Sequence, residues 1–165
     1  MGSVAIPRDA KVSNLPAIQP GEFFVHGDKA CLRLTFKDWP ALGCYLPLDT
    51  TWGAKAEQSV FAEYVVLPVT RGNISIEGYQ AGLPKDRKPG DLITDEDGTW
   101  VVVSHWEHAA HLMMANLASG LLKYIKGSEP PANYVEKWTF RGWQKEGLSE
   151  TPVLQAGTEG QMPFG

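Results

Sequence analysis

"SHWEHAAHLMMANLASGLLKYIKG", residues 104–127, decides how the rest of the chain is read. Ser104 and Glu107 have the S-x-x-E spacing of a capping box, in which each side chain satisfies a backbone N–H left open at a helix start. Trp106, Ala110, Met113, Met114, Leu117, Leu121, Tyr124 and Ile125 recur at three- and four-residue steps, the period of an amphipathic helix. Gly127 follows, with Lys123 and Lys126 placed to complement the dipole of a last turn. The spacing predicts one long helix over 105–126, its apolar stripe packed on whatever the rest of the chain builds.

The flanking sequence has the period of strands. "EFFVHG" (22–27) and "KACLRLTF" (29–36) meet at Gly27-Asp28, a dipeptide suited to a tight hairpin. In the second run Cys31, Arg33 and Thr35 alternate with Leu32, Leu34 and Phe36, which predicts one buried face. "SVFAEYVVLPVTRG" (59–72), "NISIEGYQ" (73–80) and "YVEKWTFRGW" (134–143) are also rich in β-branched and aromatic residues. Residues 38–58, broken by Pro40, Gly43, Pro47 and Gly53, read as one long connection, and "AGLPKDRKPG" (81–90) as an exposed basic loop.

"DLITDEDGTW" (91–100) crowds Asp91, Asp95, Glu96 and Asp97 around Gly98. A calcium loop needs oxygen ligands at alternating positions and a glutamate at its end; counting from Asp95, the closing position falls on Trp106, so the pattern fails. Asp97-Gly98 between two β-rich runs is instead a hairpin signal, with Asp95, Glu96, Asp97 and Gly98 at an acidic, solvated tip.

At 165 residues the chain suits one domain. Pro7, Pro16 and Pro20 mark residues 1–20 as an extended amino-terminal arm, and the polar, Gly/Pro-punctuated 147–165 as a carboxy-terminal one, around a compact domain at 21–146. The expected fold is mainly β (α+β): an antiparallel barrel or sandwich with the helix covering an open face. A net charge of −4 argues against a general phosphate-binding surface, and no sequence-specific nucleic acid is expected as partner. No secretory signal or membrane-length apolar run is present, so the chain is read as soluble, made inside the cell and without a membrane partner. Cys31 and Cys44 lack metal-ligand spacing and read as buried, reduced thiols.

His105, His108 and His111 are the best catalytic or metal candidates, since imidazole binds metals and moves protons near neutral pH. On a helix their outer members would be splayed by about 120°, unlike the convergent pair of H-E-x-x-H, and the three would lie opposite the apolar stripe. No nucleophile elbow, phosphate loop or dinucleotide fingerprint appears, and nothing local pairs His26 with Cys31 or Cys44 as a catalytic couple. The residues therefore favour a non-enzyme with no cofactor, and no catalytic residue is assigned. Six tryptophans are more than one small core usually needs, and tryptophan is enriched where proteins meet; Trp39, Trp52, Trp138 and Trp143 are the candidate interface residues.

Residues 71–106, "RGNISIEGYQ…KPGDLITDEDGTWVVVSHW", resemble hairpins of small structural proteins of tailed bacteriophages, of the head–tail connector, head-closure and tail-completion types, which carry a P-G-D-x-I-x-D-x-D-G-x-x-W-x-V hairpin in a β-barrel or sandwich. The resemblance covers about a fifth of the chain and brings no catalytic residues. It implies a virion assembly subunit, made in the host cytoplasm and incorporated into the virion, whose partners are copies of itself in a ring or polymer and other virion proteins. In that setting the acidic tip would face a DNA channel or a basic partner. Two other classes remain open on the residues: a metal-dependent or small-molecule-binding β-barrel enzyme built on the three histidines and the 38–58 loop, and a monomeric, inhibitor-like binding module.

Overall fold

The computed structural model describes residues 11–49, 51–57, 62–69, 71–76, 80–81, 88–108, 110–125, 133–135, 138–146 and 149–157. These are mainly β, in two sheets. The first half supplies β1 (Lys11–Asn14), β2 (Phe23–His26), β3 (Lys29–Phe36), β4 (Trp39–Pro47), β5 (Lys55–Ala56), β6 (Glu63–Leu67), β7 (Arg71–Ile76) and β8 (Gln80–Ala81). The second half supplies β9 (Leu92–Asp95), β10 (Gly98–Ser104), β11 (Leu112–Asn116), β12 (Leu121–Tyr124), β13 (Asn133–Val135), β14 (Trp138–Glu146) and β15 (Ser149–Gly157). The larger sheet has twelve strands in the order β1-β6-β2-β3-β12-β11-β10-β9-β13-β8, with β4 and β5 branching from β3; the smaller runs β15-β14-β7. The pairings among the described residues close no barrel.

The long helix over 105–126 is not formed: the described residues contain only a single 3₁₀ turn, Leu15–Ala17. Residues 105–108, 110 and 111 belong to no helix or strand, and the apolar run divides into β11 and β12 around the turn 117–120. Met113 and Ala115 face one core while Met114 faces another, so β11 is buried on both sides and loses the alternation that marks a half-exposed strand. The turn is built by Asn116, whose Oδ1 accepts from the N–H groups of Ala118 and Ser119 at 2.9 and 3.0 Å. The expected capping box is absent too, because Ser104 closes β10 and the Glu107 N–H is bonded to His105 Nδ1.

β3 also departs from the expected alternation, since Cys31, Arg33 and Thr35 are as buried as Leu32 and Leu34. Their face is covered by Leu15, Ile18, Phe24 and Val66. There Arg33 spends its guanidinium on the main-chain carbonyls of Leu15, Leu34 and Cys44, which satisfies donors that burial would otherwise leave open. Residues 39–47, read as part of a long connection, pair with β3 as β4.

The β2–β3 hairpin matches its expected turn: His26 faces Lys29 and Gly27 takes φ +65°, as a two-residue loop with glycine first requires. Of the two arms, residues 1–10, 147–148 and 158–165 lie outside the described residues, while Lys11–Asn14 and Ser149–Gly157 are extended but hydrogen-bonded to the chain's own β6 and β14. One core joins the two sheets: Phe23 stacks on Phe140 at 5.6 Å, and Trp52 packs on Trp138 at 5.2 Å.

A candidate assembly surface

β3 is long enough to hold β2 along its first half and β12 along its second, on the same edge. That handover brings Tyr124, at the end of β12, beside Phe36, at the end of β3, with rings stacked at 5.4 Å. The two-residue turn Lys37–Asp38 then places Trp39 opposite Phe36 at the start of β4. Trp39 is 57% exposed and Tyr124 49%, two of the four large apolar side chains that stand out among the described residues. With Phe36, Leu122, Lys37, Asp38 and Lys123 they line a cavity of about 440 Å³.

Loop 105–111 extends this surface. Trp106 meets Phe36 edge-on at 6.1 Å, and the His105 ring lies 4.0 Å from Trp106 and 6.4 Å from Tyr124. His108 lies 6.0 Å from His105, and His111 5.3 Å from His108, centroid to centroid. The loop is closed by the His105 N–H donating to the His111 carbonyl at 3.0 Å and the His111 N–H donating to the His108 carbonyl at 2.8 Å. The three histidines are thus neighbours, but along a loop and not on a helix. Among the described residues no group of three or more His, Cys, Asp or Glu side chains converges as a metal site. His105 Nδ1 accepts from the Glu107 N–H at 3.0 Å, so its proton rests on Nε2, and burial lowers its pKa.

Of the tryptophans singled out, only Trp39 is prominently exposed. Trp52 and Trp138 are core residues, 3% and 2% exposed, and the Trp138 indole donates to the Gly90 carbonyl at 2.7 Å; neither is an interface residue of this surface. Trp143 is half-buried on β14. The acidic stretch does form a hairpin, but its turn is shifted by one residue: Glu96 and Asp97 are the loop, and the positive φ of +128° falls on Gly98, paired with Asp95. Asp95 is not at a solvated tip. Its Oδ1 accepts from the Asp97 N–H and from Trp100 Nε1, and its Oδ2 from Lys123 Nζ at 2.9 Å. Burial, which alone would raise the carboxyl pKa, is outweighed by these hydrogen bonds, and the group is held below the usual carboxylate range. Lys123 also lies over the Trp100 ring at 4.3 Å and 3.8 Å from Asp97, offsetting the charge of the tip.

The thiols offer no nucleophile. Cys31 and Cys44 are free and buried, and burial pushes their pKa values up to about 12 and about 11. His26 stacks between Tyr45 and Tyr64, at 5.5 and 5.2 Å. No helix of the described residues is long and apolar enough to cross a membrane. The aromatic surface was missed in the sequence because Phe36, Trp39 and Tyr124 are brought together by the parallel contact of β12 with β3, which no local pattern announces. No family model, curated protein or solved structure matches the chain.

Proposed function

We propose that this chain is a non-enzymatic structural subunit of a tailed-bacteriophage virion, of the neck, head–tail connector or tail kind, acting through subunit–subunit contacts. The observation that carries the reading is the aromatic surface of Phe36, Trp39 and Tyr124, where the exposed Trp39 and Tyr124 and the half-buried Phe36 line a cavity together with Leu122, Lys37, Asp38 and Lys123. Interface anchors are enriched in such large, flat side chains. The hairpin over residues 91–100, with its Asp-Gly turn region and buried Trp100, supports the resemblance to phage assembly proteins. Two sheets sharing one core give a sandwich-like body, a rigid mount for such a surface.

The test is sedimentation of the full chain and of Trp39→Ala over a range of concentrations. The wild type should self-associate, and the variant should associate more weakly by on the order of 2 kcal/mol, roughly thirty-fold. Equal association of the two would remove the aromatic surface from the contact. A wild type that stays monomeric throughout would remove the assembly reading itself.

A further inference from the structure

His105 stands between the aromatic surface and the two other histidines of its segment. Its ring lies 4.0 Å from Trp106 at an interplanar angle of 26° and 6.4 Å from Tyr124 at 17°, and Trp106 in turn meets Phe36 edge-on. His108 and His111 continue outward, at 6.0 Å from His105 and 5.3 Å from each other. His105 is half-buried, whereas His108 and His111 are exposed.

His105 Nδ1 accepts from the Glu107 N–H at 3.0 Å. A proton arriving at that nitrogen meets a donor already in place, so the local geometry holds the ring neutral. Burial acts the same way and lowers its pKa, with smaller effects from Glu107 against this and from His108 and His111 for it. The titratable and charged groups around the ring and the cavity beside it are Glu107, His108 and His111 of its own segment, Lys123 and Tyr124 of β12, and Lys37 and Asp38 of the turn after Phe36. Lys123 is engaged with Asp95 at 2.9 Å.

We propose that His105 makes the subunit contact pH-sensitive: a second copy docked on the surface of Phe36, Trp39 and Tyr124 covers this ring, so association selects its neutral form and weakens when it takes up a proton. The inference rests on the assembly reading and adds the regulation of that surface. In the free chain a charged imidazolium keeps part of its water; in the contact it must give that water up beside Trp106, Tyr124 and the partner. The stack on Trp106 exists before docking, so its cation–π attraction is common to both states and leaves the sign of the effect unchanged. Docking therefore lowers the His105 pKa further. The contact is at full strength above the free value, which lies below the usual histidine value of about 6.5, and weakens as pH falls through it.

The test is sedimentation of the full chain at pH 7.5 and 6.0. The association constant should fall by about two- to fourfold on the acid side. Acidification toward the isoelectric point near 5.5 lowers the net charge and by itself favours association, so the weakening has the opposite sign to the general charge effect. Diluting the assembly at pH 6.0 in weak buffer should consume protons, because each contact that opens frees a His105 to bind one. His105→Gln, whose side-chain oxygen can accept from the Glu107 N–H, and His105→Phe, which keeps a ring, should each abolish the acid weakening, whatever their strength at pH 7.5. Acid weakening that survives in a folded variant overturns His105 as the group responsible. If both replacements prevent association, the wild-type proton uptake decides, and its absence overturns the switch. A wild type that associates without acid weakening or proton uptake also overturns the switch and leaves the assembly reading standing; one that is monomeric at both pH values overturns the assembly reading and the switch with it.

Discussion

Gly120 occupies the point where β3 changes partners from β2 to β12. Its carbonyl accepts from the Thr35 N–H, the neighbouring Gly21 donates to the Arg33 carbonyl, and a Cβ on Gly120 would fall inside the Gly21 nitrogen and the Arg33 oxygen. Gly27 has a similar positive φ, +65° against +74°, but nothing within 4 Å of a added Cβ. Gly27→Ala should therefore cost about 1 kcal/mol from backbone strain alone, and Gly120→Ala about 3 kcal/mol, measured by urea unfolding; equal costs would mean that the crossing is not tight. Asp95 gives a second residue-level test. Its depressed pKa means that its stabilisation is fully present above the unfolded value of about 4 and is lost as pH falls through the folded value. Asp95→Asn should lower stability at neutral pH by on the order of 1–2 kcal/mol and flatten the acid limb of the profile. An unchanged acid limb would assign it to other carboxylates.

At the scale of elements, hairpins with their own turn residues were legible and sheet-level arrangements were not. Gly27-Asp28 announced the β2–β3 turn, and the 91–100 stretch announced a hairpin to within one residue. Residues 105–126 misled because Leu, Met, Ala and Lys favour helices, and because a strand buried on both faces carries no period of two. The local clue was Asn116 with Gly120, an Asx turn closed by a positive-φ glycine, inside what looked like a continuous stripe. Hydrogen exchange discriminates the two forms: amides at 101–103 and 113–115 should be protected together as neighbouring central strands, whereas a helix would protect 113–125 in one block. Loop 105–111 should respond to pH. His105 has a lowered pKa, so its contribution is present above about 6.5 and is lost as pH falls through the folded value. Protonated Nδ1 would oppose the Glu107 N–H that it now accepts. The groups facing it are Trp106, Glu107, His108 and His111 of the loop and Tyr124 of β12. Trp106 emission should shift below neutrality in wild type and lose that shift in His105→Phe; a shift retained in the variant would place the titrating group elsewhere.

For the whole molecule, the runs of β-branched and aromatic residues already implied a mainly β fold, but the distribution of tryptophans between core and surface depended on pairings far apart in sequence. Trp52 and Trp138, 86 positions apart, pack together in the shared core with rings tilted at 47°, whereas Trp39 stays exposed. The most direct measurement is the native mass of the full chain by light scattering across concentration, with and without a chelator. A discrete multimer larger than a dimer, indifferent to chelation, is the expected result. A chain that remains at 18.1 kDa, or one whose assembly vanishes with the chelator, would contradict it and return attention to the histidines of loop 105–111.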